Sequence, residues 1–275
     1  MGTLLALASS VCYGIADYAG GLLSRRTSPA AVALVGQLGG LVLMAVAAVL
    51  LPGRPLAADL GWGALSGAGT GVGMLLLYRA LARGAMSVAV PVSAVGGLAI
   101  PVLFGLALFG ERPSALSGLG MALAVPALFL LARDGRPAEL ASSGTVDALV
   151  AGVGIAVQYL ALARAQPDAG MWPVAAGRLA AALLIAPLLL RAADRWMPAP
   201  RLAAAAATGC CAALALVAYL LATREQLVTV AVVLSSLYPV LPVLLGLTVL
   251  GERLTAPQRF GLLTAGVATV LLAAG

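Results

Sequence analysis

Two copies of one dodecapeptide constrain this chain more than any other feature in it. PVLFGLALFGER runs from Pro101 to Arg112 and PVLLGLTVLGER from Pro242 to Arg253, with eight of twelve positions identical and an offset of 141 residues. Matching leucines and valines carry little information in apolar sequence. The proline, the two glycines and the terminal Glu-Arg, all in register, carry much more. The same offset, without a gap, pairs Tyr78 with Tyr219, Arg83 with Arg224 and Gly120 with Gly261. It also sets Asp17 on Gln158 and Gln37 on Arg178. In a chain of 275 residues this period marks two near-equal halves, a duplication of a whole structural unit.

Hydrophobic residues make up 62% and charged residues 9%, against about 25% charged in a soluble domain. Apolar runs of about 20 residues fit helices that cross the hydrocarbon, and the alternating pattern of a membrane barrel is absent. The expectation is therefore an all-α membrane protein with no extramembrane domain. All sixteen basic residues are arginine, and there is no histidine. That excludes an imidazole base, a histidine metal ligand and a Ser-His nucleophile pair. Cys12, Cys210 and Cys211 lie in apolar runs without metal-type spacing and read as small buried residues. No metal, cofactor or nucleic acid is expected.

Ten spans are predicted, at 3–23, 30–51, 60–81, 86–109, 115–132, 145–164, 171–190, 202–222, 227–250 and 257–274. The first lacks a basic leading region and carries Asp17, so it reads as a span rather than a cleavable signal. The division is 1–133, a first five-helix repeat; 134–143, a linker loop; and 144–275, a second five-helix repeat. Five is odd, so the second repeat must enter the membrane in the opposite sense. Ten transmembrane helices in two inverted five-helix repeats are a recurrent transporter plan, with the site near the midplane. Loops after odd-numbered spans hold eleven arginines and the other side four, with Arg178 inside a span. The excess marks the cytoplasmic side and places both termini outside.

Asp17 is the one carboxylate deep inside a span, and Ser10, Tyr13 and Asp17 share one helix face. A charge at that depth costs roughly 2.5–3.5 kcal/mol on insertion scales. Two readings stand: a carboxylate that binds a proton or cation, or one that reaches to the nearby interface. Arg178 either binds a substrate anion or neutralises Asp17, or it binds helix-end carbonyls. Asp17 and Gln37 lie six or seven residues from one side, Gln158 and Arg178 equally far from the other. At 1.5 Å per residue that makes two polar layers roughly 10 Å apart, able to hold the two ends of a zwitterion. Span 4 carries Pro91 and Pro101; span 9 carries Ser235, Ser236, Tyr238, Pro239 and Pro242. They read as kinked gating helices whose hydroxyls line the path, or as ordinary close packing. Tyr78 and Tyr219 read as interfacial anchors before gate residues. Glu111-Arg112 and Glu252-Arg253 read as structural caps.

Five-span repeats ending in span, Gly-Glu-Arg, span, with Gly110-Glu111-Arg112 and Gly251-Glu252-Arg253 after proline-containing helices, resemble the EamA-type members of the drug/metabolite transporter superfamily. The resemblance covers the whole chain. It implies alternating-access movement of small metabolites through a cavity lined by spans 1–4 and 6–9, with spans 5 and 10 peripheral. It also implies cytoplasmic termini, against the arginine count. The related small multidrug transporters carry an acidic residue in their first span, as Asp17 stands here. The expected function is secondary active transport, in the efflux direction, of a small zwitterionic or cationic solute with proton coupling. The expected setting is the bacterial inner membrane, as a monomer or homodimer in the lipid bilayer. An intramembrane enzyme and a non-transporting scaffold are the alternatives; the absence of histidine and lysine argues against the first.

Overall fold

A computed structural model describes residues 1–83, 86–108, 110–131, 143–190, 197–249 and 255–275. Among these residues every regular element is a helix. In chain order they are α1 (Gly2–Ser24), α2 (Pro29–Leu50), α3 (Ala57–Arg83), α4 (Met86–Leu108), α5 (Ala115–Leu131) and α6 (Ser143–Leu162). There follow a single 3-10 turn (Pro167–Ala169), then α7 (Trp172–Leu190), α8 (Ala199–Glu225), α9 (Val228–Ser235), α10 (Val240–Val249) and α11 (Ala256–Ala274). Most of the linker and the second Gly-Glu-Arg, with Arg133, Arg136, Arg191 and Arg195, fall outside the described residues.

Helix starts follow local chemistry. Pro29 opens α2, where a missing N–H goes unneeded. Thr255 and Gln258 close a capping box on α11. Four helices are long and apolar enough to cross a membrane: Pro29–Leu50, Ala57–Ala82, Trp172–Leu189 and Ala199–Glu225.

Nine of the ten predicted spans each hold one helix, but the ninth holds two. The expected continuous stretch 227–250 breaks at residues 236–239. Pro239 has no N–H to return to Ser235, and it disfavours helical geometry at Tyr238. Leu237 instead bonds back to Leu234, three residues away, at 3.3 Å. By contrast, α4 stays helical through both Pro91 and Pro101.

The halves interleave. α3 of the first half packs on α6 and α7 of the second, and α8 of the second packs on α1 and α2 of the first. These contacts exchange under the 141-residue offset. The pairs α2 with α7 and α5 with α11 map onto themselves and are also in contact. A contact pattern unchanged by swapping the halves is what a two-fold relation between them produces. Glycines allow the close crossings: a Cβ on Gly209 of α8 would overlap the backbone of Gly36 in α2, and one on Gly67 of α3 the backbone of Gly177 in α7.

Contacts between turns define two ends. At the N-terminal end Thr3 meets Gln226 at 3.4 Å, Arg54 N–H donates to Asp168 O at 2.7 Å, and Gln166 N–H donates to the Asp59 carboxylate at 2.9 Å. At the opposite end Arg201 donates to the carbonyl of Arg26 at 3.0 Å, and Arg79 lies 3.5 Å from Asp147. The outward faces are apolar: Val42, Val49 and Leu183 on the bundle, Phe260, Leu263 and Val270 on α11. Exposed apolar area of this extent needs lipid or protein against it.

Candidate functional site

The buried charges and amides stand on α1, α2, α6 and α7, where the halves meet. Asp17 is 2% exposed, and its Oδ1 has no hydrogen-bond partner among the described residues. Ser10 and Tyr13 are buried on the same face. The helical spacing of the three thus faces them inward, and the interface reading of Asp17 fails on burial. Arg178, also 2% exposed, gives Nη1 to Gln37 Oε1 at 3.0 Å, while its Nε and Nη2 have no partner among the described residues. No ion pair joins Asp17 to Arg178. A carboxylate and a guanidinium are thus both dehydrated, both short of partners and not joined to each other. Buried charge of this kind costs several kcal/mol per ion and is characteristic of sites that bind something.

The two polar layers are not separate, contrary to the depth arithmetic. Gln37 touches Arg178, and Gln158 Nε2 donates to the phenol oxygen of Tyr13 at 2.8 Å. Counting backbone rise alone ignores the length of Arg and Gln side chains, which close a gap of that size. Gln158 Oε1 in turn accepts from Thr70 at 2.7 Å, and Ser66 donates to the Gln158 carbonyl at 2.9 Å. The amide is therefore a fixed bracket, with both ends engaged.

Tyrosine rings pack against one another in this interior. Tyr13 meets Tyr159 edge-on, with centroids 6.2 Å apart, and Tyr238 at 6.1 Å; Tyr159 and Tyr219 are 4.5 Å apart. Tyr238 comes from the break in the ninth span. Ser93 gives its proton to the Val90 carbonyl at 2.8 Å, so the 3.3 Å contact between the hydroxyls of Tyr238 and Ser93 has Tyr238 as donor. Ser235 reaches the Ala6 carbonyl at 3.4 Å, and the buried Ser236 hydroxyl is unpartnered among the described residues. Pro101, Pro239 and Pro242 are buried around the same helices, and Pro91 lies within α4. Tyr78 and Tyr219 are not interfacial. Both are buried, the first over Gly20 and the second donating to the Tyr159 carbonyl at 3.0 Å. Their rings fill helix crossings, where burial outweighs the pull of the interface on a phenol.

A model of the EamA-like transporter family matches residues 1–133 and again residues 142–274. The chain belongs to the EamA-like transporter family. This EamA-like chain is accordingly a multi-pass membrane protein of transporter type. No curated protein matches it. A solved crystal structure matches with a TM-score of 0.74 at 20% identity, over 98% of this chain and 95% of its own. At that identity the likeness concerns the fold.

The first Gly-Glu-Arg motif of this EamA-like chain caps, as its position suggests, but across the halves. Gly110 takes a φ of +65°, a conformation suited to glycine at a helix end. The chain reverses there, and Glu111 N–H returns to the Gly105 carbonyl at 3.2 Å. The carboxylate then accepts from Val228 N–H at 2.8 Å and Thr229 N–H at 3.0 Å, the first two residues of α9. A carboxylate on a helix N-terminus contributes about 0.3–1 kcal/mol when exposed and more when buried. Sequence reasoning also missed Ser66, Thr70, Ser93 and Tyr159 as members of the polar interior. Ser66 and Thr70 stand four residues apart, a signal of a shared helix face that was available. Ser93 and Tyr159 carry no spacing signal of their own.

Proposed function

We propose that this chain is a secondary active transporter that moves a small cationic or zwitterionic organic solute by alternating access. In this reading ten helices cross the membrane in two inverted repeats, residues 1–133 and 144–275, joined by 134–143. The reciprocal packing of the halves, the odd number of spans in each and the turn contacts at two ends support it. So does a broken span beside the buried charges, since discontinuous helices border the solute site in many transporters.

The observation that carries the reading is Asp17, buried and lacking a partner beside tyrosine rings. A carboxylate that leaves water without a counter-ion takes up a proton, and an arriving ammonium group can replace that proton. Aromatic faces favour the same cation. Proton and solute then compete for one site, and their movements run in opposite directions. Inward proton flow drives efflux. Arg178, with two free nitrogens, receives the carboxylate of a zwitterion, and the bracket of Gln158 and Tyr13 fixes the space between. Ser235, Ser236 and Tyr238 line the path at the break.

The test uses purified protein in sealed vesicles with an imposed pH gradient and a panel of radiolabelled primary amines and amino acids. Wild type should accumulate at least one panel member against its gradient. Asp17→Asn should reach the same membrane density and lose that accumulation. Equal, gradient-dependent accumulation by both would remove Asp17 from the coupling.

A further inference from the structure

We infer that Glu111 is the latch that holds the two gating spans together at the N-terminal end of the molecule. This rests on the alternating-access reading above and gives the Gly-Glu-Arg motif a part in it. The argument starts from where the motif binds. Its carboxylate does not cap its own helix but grips both leading N–H groups of α9, the half-helix whose other end is the break at 236–239. Glu111 is carried by the turn after α4, so the bond joins α4 of one half to α9 of the other.

The seat is shaped for it. A Cβ on Gly105 would overlap the Thr229 methyl and stand 3.1 Å from Glu111 Oε2. Three positions of the dodecapeptide thus have a physical reading at its first copy. Gly105 leaves room, Gly110 turns the chain, and Glu111 closes the contact. A second tie joins the same two spans at mid-depth, Tyr238 to Ser93. While both ties hold, α9 moves with α4 as one body. Opening the N-terminal end requires the carboxylate to release two N–H groups. Water that enters can then solvate both partners, so the latch is reversible. Glu111 is a positioning residue: it sets the half-helix that presents Ser235, Ser236 and Tyr238 to the charges.

The experiment needs no solute. Cys12, Cys210 and Cys211 are replaced by alanine, and Ser236→Cys reports from the break. A membrane-impermeant maleimide is applied to sealed vesicles of each orientation. With Glu111 intact, labelling from the N-terminal end should be slow. Glu111→Gln, equal in size but uncharged, should raise that rate at least tenfold and lower the rate from the opposite end. Where Glu111→Gln does not reach the membrane, Gly105→Ala, which crowds the seat and keeps the charge, should give the same reciprocal change. Unchanged rates, or a rise from both ends together, would overturn the latch, the second showing a loosened fold. A chain that transports nothing from the panel can still show the reciprocal change, so the two failures are distinguishable.

Discussion

Gln158 holds Tyr13 across the boundary between the halves, its amide nitrogen 2.8 Å from the phenol oxygen. The bond uses a lone pair of the phenol and leaves its proton for another acceptor. Replacing Gln158 by leucine strips Tyr13 of its amide partner, while the Thr70 hydroxyl keeps the Ser66 carbonyl at 2.9 Å. Unsatisfied buried groups cost about 1–3 kcal/mol each. Gln158→Leu should therefore lower the unfolding midpoint in detergent, and so should Tyr13→Phe, which leaves the buried Gln158 amide N–H unpaired. A Gln158→Leu protein as stable as wild type would show that the bracket contributes nothing.

Arg178→Gln keeps a polar partner for Gln37 and removes the charge. Solutes with a carboxylate should lose affinity by roughly tenfold or more, about 1.4 kcal/mol. Purely cationic solutes should be unaffected. Competition for uptake by paired compounds, an amine and its amino-acid analogue, measures this directly. Equal losses for both would place Arg178 in the fold rather than at the solute.

The loop of Arg25 after α1 and the loop of Gln166 after α6 are equivalent under the 141-residue offset. Inverted repeats must put them on opposite sides of the membrane. Single cysteines at Arg25 and Gln166 should label from opposite faces of sealed vesicles. Labelling from the same face would end the inverted arrangement, and the case for alternating access with it.

Close glycine crossings should tolerate no side chain, whereas open glycines should. Gly209→Ala forces α8 off the backbone of Gly36 and should cost about 1–3 kcal/mol, the usual range for overpacking. Gly266 of α11 has open space where a Cβ would go, so Gly266→Ala should hold or raise stability by about 1 kcal/mol. Thermal unfolding of the two variants side by side checks both.

Much of this architecture was legible because polar residues stand out in apolar sequence. Asp17, Gln37, Gln158 and Arg178 all face the interior, as an intramembrane charge or amide must. Their partners were not legible, because depth counted along a helix axis carries no side-chain reach, and Arg178 meets Gln37 by reach. Tyr78 and Tyr219 were misplaced for a different reason. A phenol suits an interface and a crossing equally well until the neighbours are known, and here Gly20 and the Tyr159 carbonyl decide. Proline was also ambiguous: Pro239 accompanies a break, yet α4 runs through Pro91 and Pro101. No single residue separates these outcomes, since freed carbonyls can be satisfied by whatever packs beside them.

Gln37 and Arg178 occupy equivalent places in the two halves and also touch each other, 3.0 Å apart. Two equivalent points that meet must lie where the halves exchange. Two separate, identical chains could place only none or two arginines there, and two guanidiniums in contact repel strongly away from water. Fusion into one chain removes that parity. The centre of this molecule carries a single positive charge because one copy was free to differ from the other.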